Sequence, residues 1–309
     1  MLTLTDKIRQ KKGGLLFYGL TPPKAKHTKE ELEIIAAKHI ERLNGLDIDG
    51  LILYDIQDEA DRTDEKRPFP FMETLDPCDY AKNYLDAPLH IPVIVYKAVG
   101  KYDKDEFKSW LSARANKDFH TVFVGAASKE TKVSIRMREA YALKKELCND
   151  AILGGIMIPE RHSVKHDEHL RVFDKIDNGC EFFVSQCVYN LMAAKKFLDD
   201  YLAYAKKYNK PIVPIIFTVT PCGSAKTLDF MKWLGISIPL HLEERLKNSE
   251  NILEESVKLS RDIFEILYFY GKGKGIPIGC NVESVAIRKE EIDASIKLLH
   301  EIKSIIDNG

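Results

Sequence analysis

The chain has no CxxC pair among its six cysteines, which stand at positions 78, 148, 180, 187, 222 and 280. That argues against a zinc ribbon or a thioredoxin-type redox motif. No run of about 18 apolar residues occurs, so no transmembrane helix is expected. The N-terminus, MLTLTDKIRQKKGG, lacks the apolar core of a signal peptide. Reduced thiols and a cytoplasmic protein are the expectation. Charge of neither sign dominates: 46 Lys and Arg against 47 Asp and Glu give a net charge of −1. There is therefore no basic footprint for nucleic acid. No GxGxxG follows any apolar run, which disfavours a dinucleotide-binding Rossmann unit. A GxSxG elbow and a Ser-His-Asp order are also missing.

What is present is alternation. Short, nearly continuous apolar runs fall at 15–20, 50–55, 91–96, 121–125, 153–158, 181–185, 212–218 and 276–280, with helical periodicity between them. Such runs are the mark of strands buried on both faces. Eight of them in 309 residues predict an α/β fold, a single (β/α)8 TIM barrel spanning 1–309 as one domain. The stretch 153–190 shows the unit most clearly: strand, loop, a helix ending at Asn178-Gly179, then the strand EFFVS running into Gln186.

In a barrel the C-terminal strand ends carry the chemistry. The candidates there are Tyr18 and Thr21; Tyr54, Asp55, Asp58 and Glu59; Tyr96 and Lys97; Ser128 and Lys129; Glu160, Arg161 and His162; Gln186 and Cys187; Thr218 and Thr220; Asn281 and Glu283. The Gln186 amide both donates and accepts, so it suits a planar heterocycle, or else it bonds a neighbouring loop. The Asp55, Asp58 and Glu59 carboxylates are solvated loop charges or, at a strand end, one is an acid of raised pKa. His166 and His169 share a helix face near His162, but amid Lys165, Asp167 and Glu168 they read as solvated residues. Cys187, Cys222 and Cys280 end consecutive strands and read as small buried thiols. No metal is expected.

Several segments together resemble the methylenetetrahydrofolate reductase family, in its short bacterial form. IPERH (158–162) looks like YPExH, KIDNGCEFFVSQCVYN (175–190) like KxxAGAxxxITQxFFD, PIVPIIFTVTP (211–221) like PIxPGIxPI, and Pro22-Pro23 like the end of FEFFPP. Gly125 and Asn281 also fall where the family has a glycine and an asparagine. The resemblance implies an FAD-containing barrel that takes hydride from NADH or NADPH and reduces methylenetetrahydrofolate to methyltetrahydrofolate. It implies that Gln186 and Asn281 contact the folate, and that Gly125, Ala126, His162, Glu168 and Lys175 lie toward the FAD.

The departures are at the chemistry. The glutamate of FEFFPP is replaced by Gly19, or by Tyr18 with a one-residue slip; the aspartate after the strand-four glycine is Ala126. The tyrosine before Pro-Glu is Ile158, and the arginine after Asn281 is Val282. Asp55, with Tyr18 second, is then the expected replacement acid. Three functions remain open: a divergent reductase, a barrel of the same superfamily acting, with or without flavin, on another folate or pterin one-carbon substrate, and a non-catalytic complex subunit. A homo-oligomer or a redox partner subunit is the expected assembly; no nucleic acid or membrane partner is expected.

Overall fold

The structure is a computed structural model and describes residues 2–60, 63–85, 88–126 and 133–309. Eight parallel strands close a barrel in the order β1 to β8. They are β1 (Leu16–Leu20), β2 (Gly50–Leu53), β3 (Val93–Ala98), β4 (His120–Val124), β5 (Ile152–Met157), β6 (Phe182–Cys187), β7 (Ile215–Val219) and β8 (Ile278–Glu283). The expected (β/α)8 architecture is what the chain adopts, with every strand within a few residues of its sequence-predicted place.

The displaced boundaries have a cause. β3, β7 and β8 begin directly after Pro92, Pro214 and Pro277. A proline ring cannot donate to a ladder, but its carbonyl still accepts. Leu51 N–H bonds Pro92 O at 2.8 Å, Phe183 N–H bonds Pro214 O at 2.9 Å, and Ile215 N–H bonds Pro277 O at 2.9 Å. Each proline thus marks the start of a strand while still accepting a hydrogen bond from its neighbour.

The helices are α1 (Leu4–Arg9), α2 (Lys29–Leu43), α3 (Pro77–Tyr80), α4 (Lys104–Ser112), α5 (Met137–Leu147), α6 (Pro159–Lys165), α7 (Glu168–Asp177), α8 (Leu191–Tyr208), α9 (Ala225–Trp233), α10 (Leu240–Lys247), α11 (Ile252–Gly273) and α12 (Lys289–Asn308). Their starts follow capping chemistry. Thr28 and Glu31 form the expected capping box on α2, and Asp103 with Glu106 does the same for α4. Gly179, at φ 98°, turns the chain out of α7 toward β6, a conformation that favours glycine. Among the described residues no helix is long and apolar enough to cross a membrane.

Two compact units make up the chain: Met1–Tyr18 with Gly155–Gly309, and Gly19–Gly154. In the first, β6, β7 and β8 pair in parallel, with a register shift between Val184 and Cys187 of β6, and with Phe217 opposite Cys280 and Thr218 opposite Asn281. In the second, β2, β3 and β4 pair, with Ile94 between Ile52 and His120. The long loop after β2 is tied down within this unit. Lys24 bridges Thr74, Ala25 N–H bonds Glu73 O at 3.0 Å, and Leu75 N–H bonds Pro23 O at 2.9 Å.

Candidate active site

In the larger unit the C-terminal ends of β5 to β8 carry a connected polar set. Asn281 is fully buried, and its Nδ2 donates to Thr218 Oγ1 at 3.2 Å. Thr218 Oγ1 in turn donates to Ser185 O at 2.7 Å, and the Ser185 hydroxyl accepts from Thr218 N–H at 2.9 Å. The chain of bonds runs β8 to β7 to β6, so the Asn281 amide is fixed by its neighbours. Thr220 Oγ1 donates to Glu283 O at 2.9 Å, which closes the same edge one step further out. Gln186 is half-buried, and its Nε2 donates to Leu234 O, beyond α9, at 3.0 Å. That bond orients the amide and leaves Oε1 and the second Nε2–H for a ligand.

Glu160 is the residue that sequence reasoning left without a role. It follows β5 directly, on the first turn of α6, and is 7% exposed. Neither carboxylate oxygen makes a well-formed hydrogen bond. Burial drives its pKa up to about 7, although the backbone N–H groups of Glu160, Asn190 and Tyr189 offset part of that and Glu168 adds to it. A buried carboxylate short of donors is costly, and at a strand end it is a functional candidate on physical grounds. Its signal in the sequence was a glutamate one residue after the proline that ends a strand.

Three of the five residues placed toward FAD by resemblance, Glu168, Lys175 and His162, have other partners. Glu168 is fully buried; it accepts from Ile158 N–H at 2.9 Å and from Arg161 at 3.0 Å. Lys175 donates to the carbonyl of Ile156, inside β5. Burial lowers the Lys175 pKa, with Glu168 opposing. His162 is fully buried, its Nε2 2.8 Å from Asp200 Oδ2. Tyr18 is buried too, its hydroxyl 2.9 Å from Ser295 Oγ on α12, which sets the phenol against the helix layer. The rim thiols Cys187, Cys222 and Cys280 are buried and unpaired. Burial pushes all three up, Cys222 to about 12, so none is a ready thiolate ligand.

The smaller unit holds the remaining candidates. Asp55 accepts on both oxygens: Ala98 N–H at 2.7 Å and the Tyr102 hydroxyl at 3.1 Å on Oδ2, and Lys101 Nζ at 2.5 Å on Oδ1. The same hydroxyl is 2.9 Å from Asp76, which also pairs with buried Lys97 at 3.1 Å. Burial would raise the Asp76 carboxyl, but Lys97 and Tyr102 override it and its pKa is lowered. Asp55 and Asp76 thereby bind the loops after β2 and β3 together. Gly125 is half-buried, its carbonyl accepting from Gln57 at 3.1 Å, and Ala126 is exposed. A Cβ at Gly125 would meet Met137 at an ordinary 3.8 Å, so packing does not demand glycine there. Ser128 and Lys129 lie outside the described residues.

The solved structure of an uncharacterized protein from Clostridium thermocellum that binds two copies of 5-methyl-5,6,7,8-tetrahydrofolic acid is 50% identical; the match covers 98% of this chain and 99% of that one, with a TM-score of 0.87. A GH10 endoxylanase from a sugarcane soil metagenome is 11% identical over 96% of this chain and 99% of its own, with a TM-score of 0.51, which shows the shared barrel fold alone. No curated protein matches. The methylenetetrahydrofolate reductase family model matches residues 142–268, the segment that holds Glu160, Glu168, Lys175 and Gln186. On the family match and the full-length likeness together, the chain belongs to the methylenetetrahydrofolate reductase family.

Proposed function

We propose that this protein binds a reduced folate carrying a one-carbon unit, with the pterin edge set against Gln186, Asn281 and Glu160. The observation that carries the reading is the likeness, 50% identical over 98% of the chain, to a protein that binds 5-methyltetrahydrofolate. The residues supply the chemistry. A pterin ring presents two adjacent N–H donors, and the Glu160 carboxylate has two oxygens without well-formed bonds. A bidentate, charge-assisted pair of that kind is both strong and directional. Gln186, held by Leu234, offers its oxygen beside it.

The finer family activity, flavin-dependent reduction of methylenetetrahydrofolate with NADH or NADPH, is the second reading, favoured by family membership. FAD supplies hydride transfer when it is bound. The residues present do not fit it: Glu168, Lys175 and His162 are taken up by Arg161, the β5 backbone and Asp200. With those three side chains engaged inside the protein, the folate-binding reading stands first, with a flavin-free one-carbon reaction or a carrier role as its two forms.

The test is calorimetric titration of the purified chain with 5-methyltetrahydrofolate, alongside incubation with FAD and desalting. Saturable folate binding with no retained flavin absorbance is the expected result. A chain that binds no folate sinks the proposal. Retained flavin that is bleached by NADH or NADPH hands the site back to the reductase reading.

A further inference from the structure

Helices α6, α7 and α8 of the larger unit meet at side chains that the folate reading does not use. One ring nitrogen of His162, one of His169 and a carboxylate oxygen of Asp200 all lie within 4.8 Å of one another. Among the described residues no other group of histidine, cysteine and carboxylate side chains comes together in this way. Aromatic side chains flank both rings. His162 and His169 pack edge to face at 5.2 Å between centroids, Phe197 abuts His162 at 6.0 Å, and Tyr204 abuts His169 at 5.7 Å.

A second observation points to a ligand. The Nδ1 atoms of His162 and His169 are both buried with no hydrogen-bond partner. A buried polar atom left without a partner is destabilising. An ion seated between His162 Nε2 and the Asp200 carboxylate would leave His162 Nδ1 as it is and satisfy the His169 ring.

We propose that His162, His169 and Asp200 bind a divalent transition-metal ion, with Zn2+ the best-matched species and water completing the sphere. Two imidazoles and one carboxylate are a donor set suited to zinc. Zinc bonds of about 2.0–2.1 Å place tetrahedral ligands roughly 3.3 Å apart. The 2.8 Å approach of His162 Nε2 to Asp200 Oδ2 is already inside that spacing. His169 need only swing in on its side-chain torsions. Asp200 keeps an oxygen for each task, since Oδ1 holds Lys196 at 2.7 Å and Oδ2 faces His162. His166, on the same turn, is exposed and 6.0 Å from His162 between centroids. The ion would join α6, whose first turn carries Glu160, to α8.

The full-length chain, stripped with EDTA, is titrated with Zn2+ by calorimetry and with Co2+ by visible absorption. One equivalent of Zn2+ is expected, together with the ligand-field bands of low-coordinate cobalt. His169→Ala and Asp200→Asn should each weaken Zn2+ at least tenfold and abolish the rise in thermal midpoint that Zn2+ gives the parent. Both positions are part-exposed, and His169→Gln replaces His169→Ala if that variant does not fold by circular dichroism. No stoichiometric binding by the parent overturns the site, as does unchanged Zn2+ affinity in either folded variant. Folate titration of the same stripped protein keeps this outcome separate from the folate reading.

Discussion

Gly19 and Tyr54 compete for one space. A Cβ on Gly19 would lie 2.9 Å from two carbons of the Tyr54 ring and nearer still to its hydroxyl. Tyr54 packs edge-on against Tyr96 at 5.0 Å, which fixes the ring there. Counting back from the prolines, Gly19 is where the family carries its glutamate. On that count the room for the acid is taken by Tyr54, which directly follows β2. Gly19→Glu should therefore destabilise the fold by about 1–3 kcal/mol through overpacking. In a Tyr54→Ala background the same change should cost at least ~1 kcal/mol less. Urea denaturation of the four proteins of that cycle measures it, and equal penalties in both backgrounds would show that Tyr54 is not what closes the position.

Asp55 was the sequence's choice for the missing acid, and its surroundings suit a different task. A carboxylate that accepts from Ala98, Lys101 and Tyr102 at once is placed as an anchor for two loops. Asp55→Asn should lower stability by about 1.5–3 kcal/mol, the range for hydrogen bonds to a charged group. Folate affinity should stay within about twofold. Full stability combined with lost folate chemistry would return the catalytic role to Asp55.

Much of this was open to a reader of the sequence. The eight apolar runs gave all eight strands because strands buried on both faces leave a continuous signature. The prolines that trimmed β3, β7 and β8 were visible as well. The candidate site was legible only in part. Gln186 and Asn281 fall at strand ends by simple counting, but their partners, Leu234 and Thr218, are 48 and 63 residues away in sequence. Nothing local to Glu168 or Lys175 reveals that they turn inward to Arg161 and Ile156. The His162 cluster was discounted because its carboxylate, Asp200, is 38 residues further on and reaches the histidines only through helix packing.

Gln186 offers a direct check on the ligand. Its Nε2 gives one N–H to Leu234, so Oε1 and the second N–H remain for a pterin. Gln186→Ala removes that acceptor and also leaves the Leu234 carbonyl without its donor. Affinity for 5-methyltetrahydrofolate should fall at least tenfold, about 1.4 kcal/mol or more. Gln186→Glu supplies acceptors but loses the donor to Leu234, so it should recover part of the binding. Unchanged affinity in Gln186→Ala would take this residue out of the site.

Glu160 makes the sharpest case, because it is expected to respond to pH twice, in opposite senses. Burial holds its pKa near 7 in the folded chain, against 4.5 for an ordinary glutamate. The folded state thus favours the protonated form. The stability this gives is complete below about pH 4.5 and is lost progressively as pH rises to about 7, a total of roughly 3 kcal/mol. Glu160→Gln carries no such proton, so the stability of the parent relative to this variant should decline across that window. Folate binding should run the other way. Two pterin N–H donors need the ionised carboxylate, so affinity is greatest above pH 7 and weakens by up to about tenfold for each unit below it. Glu160→Gln should bind at least tenfold more weakly than the parent at pH 8, with the gap narrowing toward pH 5.5. Denaturation curves and calorimetric titrations at four or so pH values read both slopes. A flat stability difference would mean the carboxylate finds partners in solution. A stability slope with no binding slope would mean that Glu160 is buried for the fold alone, and that the pterin edge lies against Gln186 and Asn281 without it.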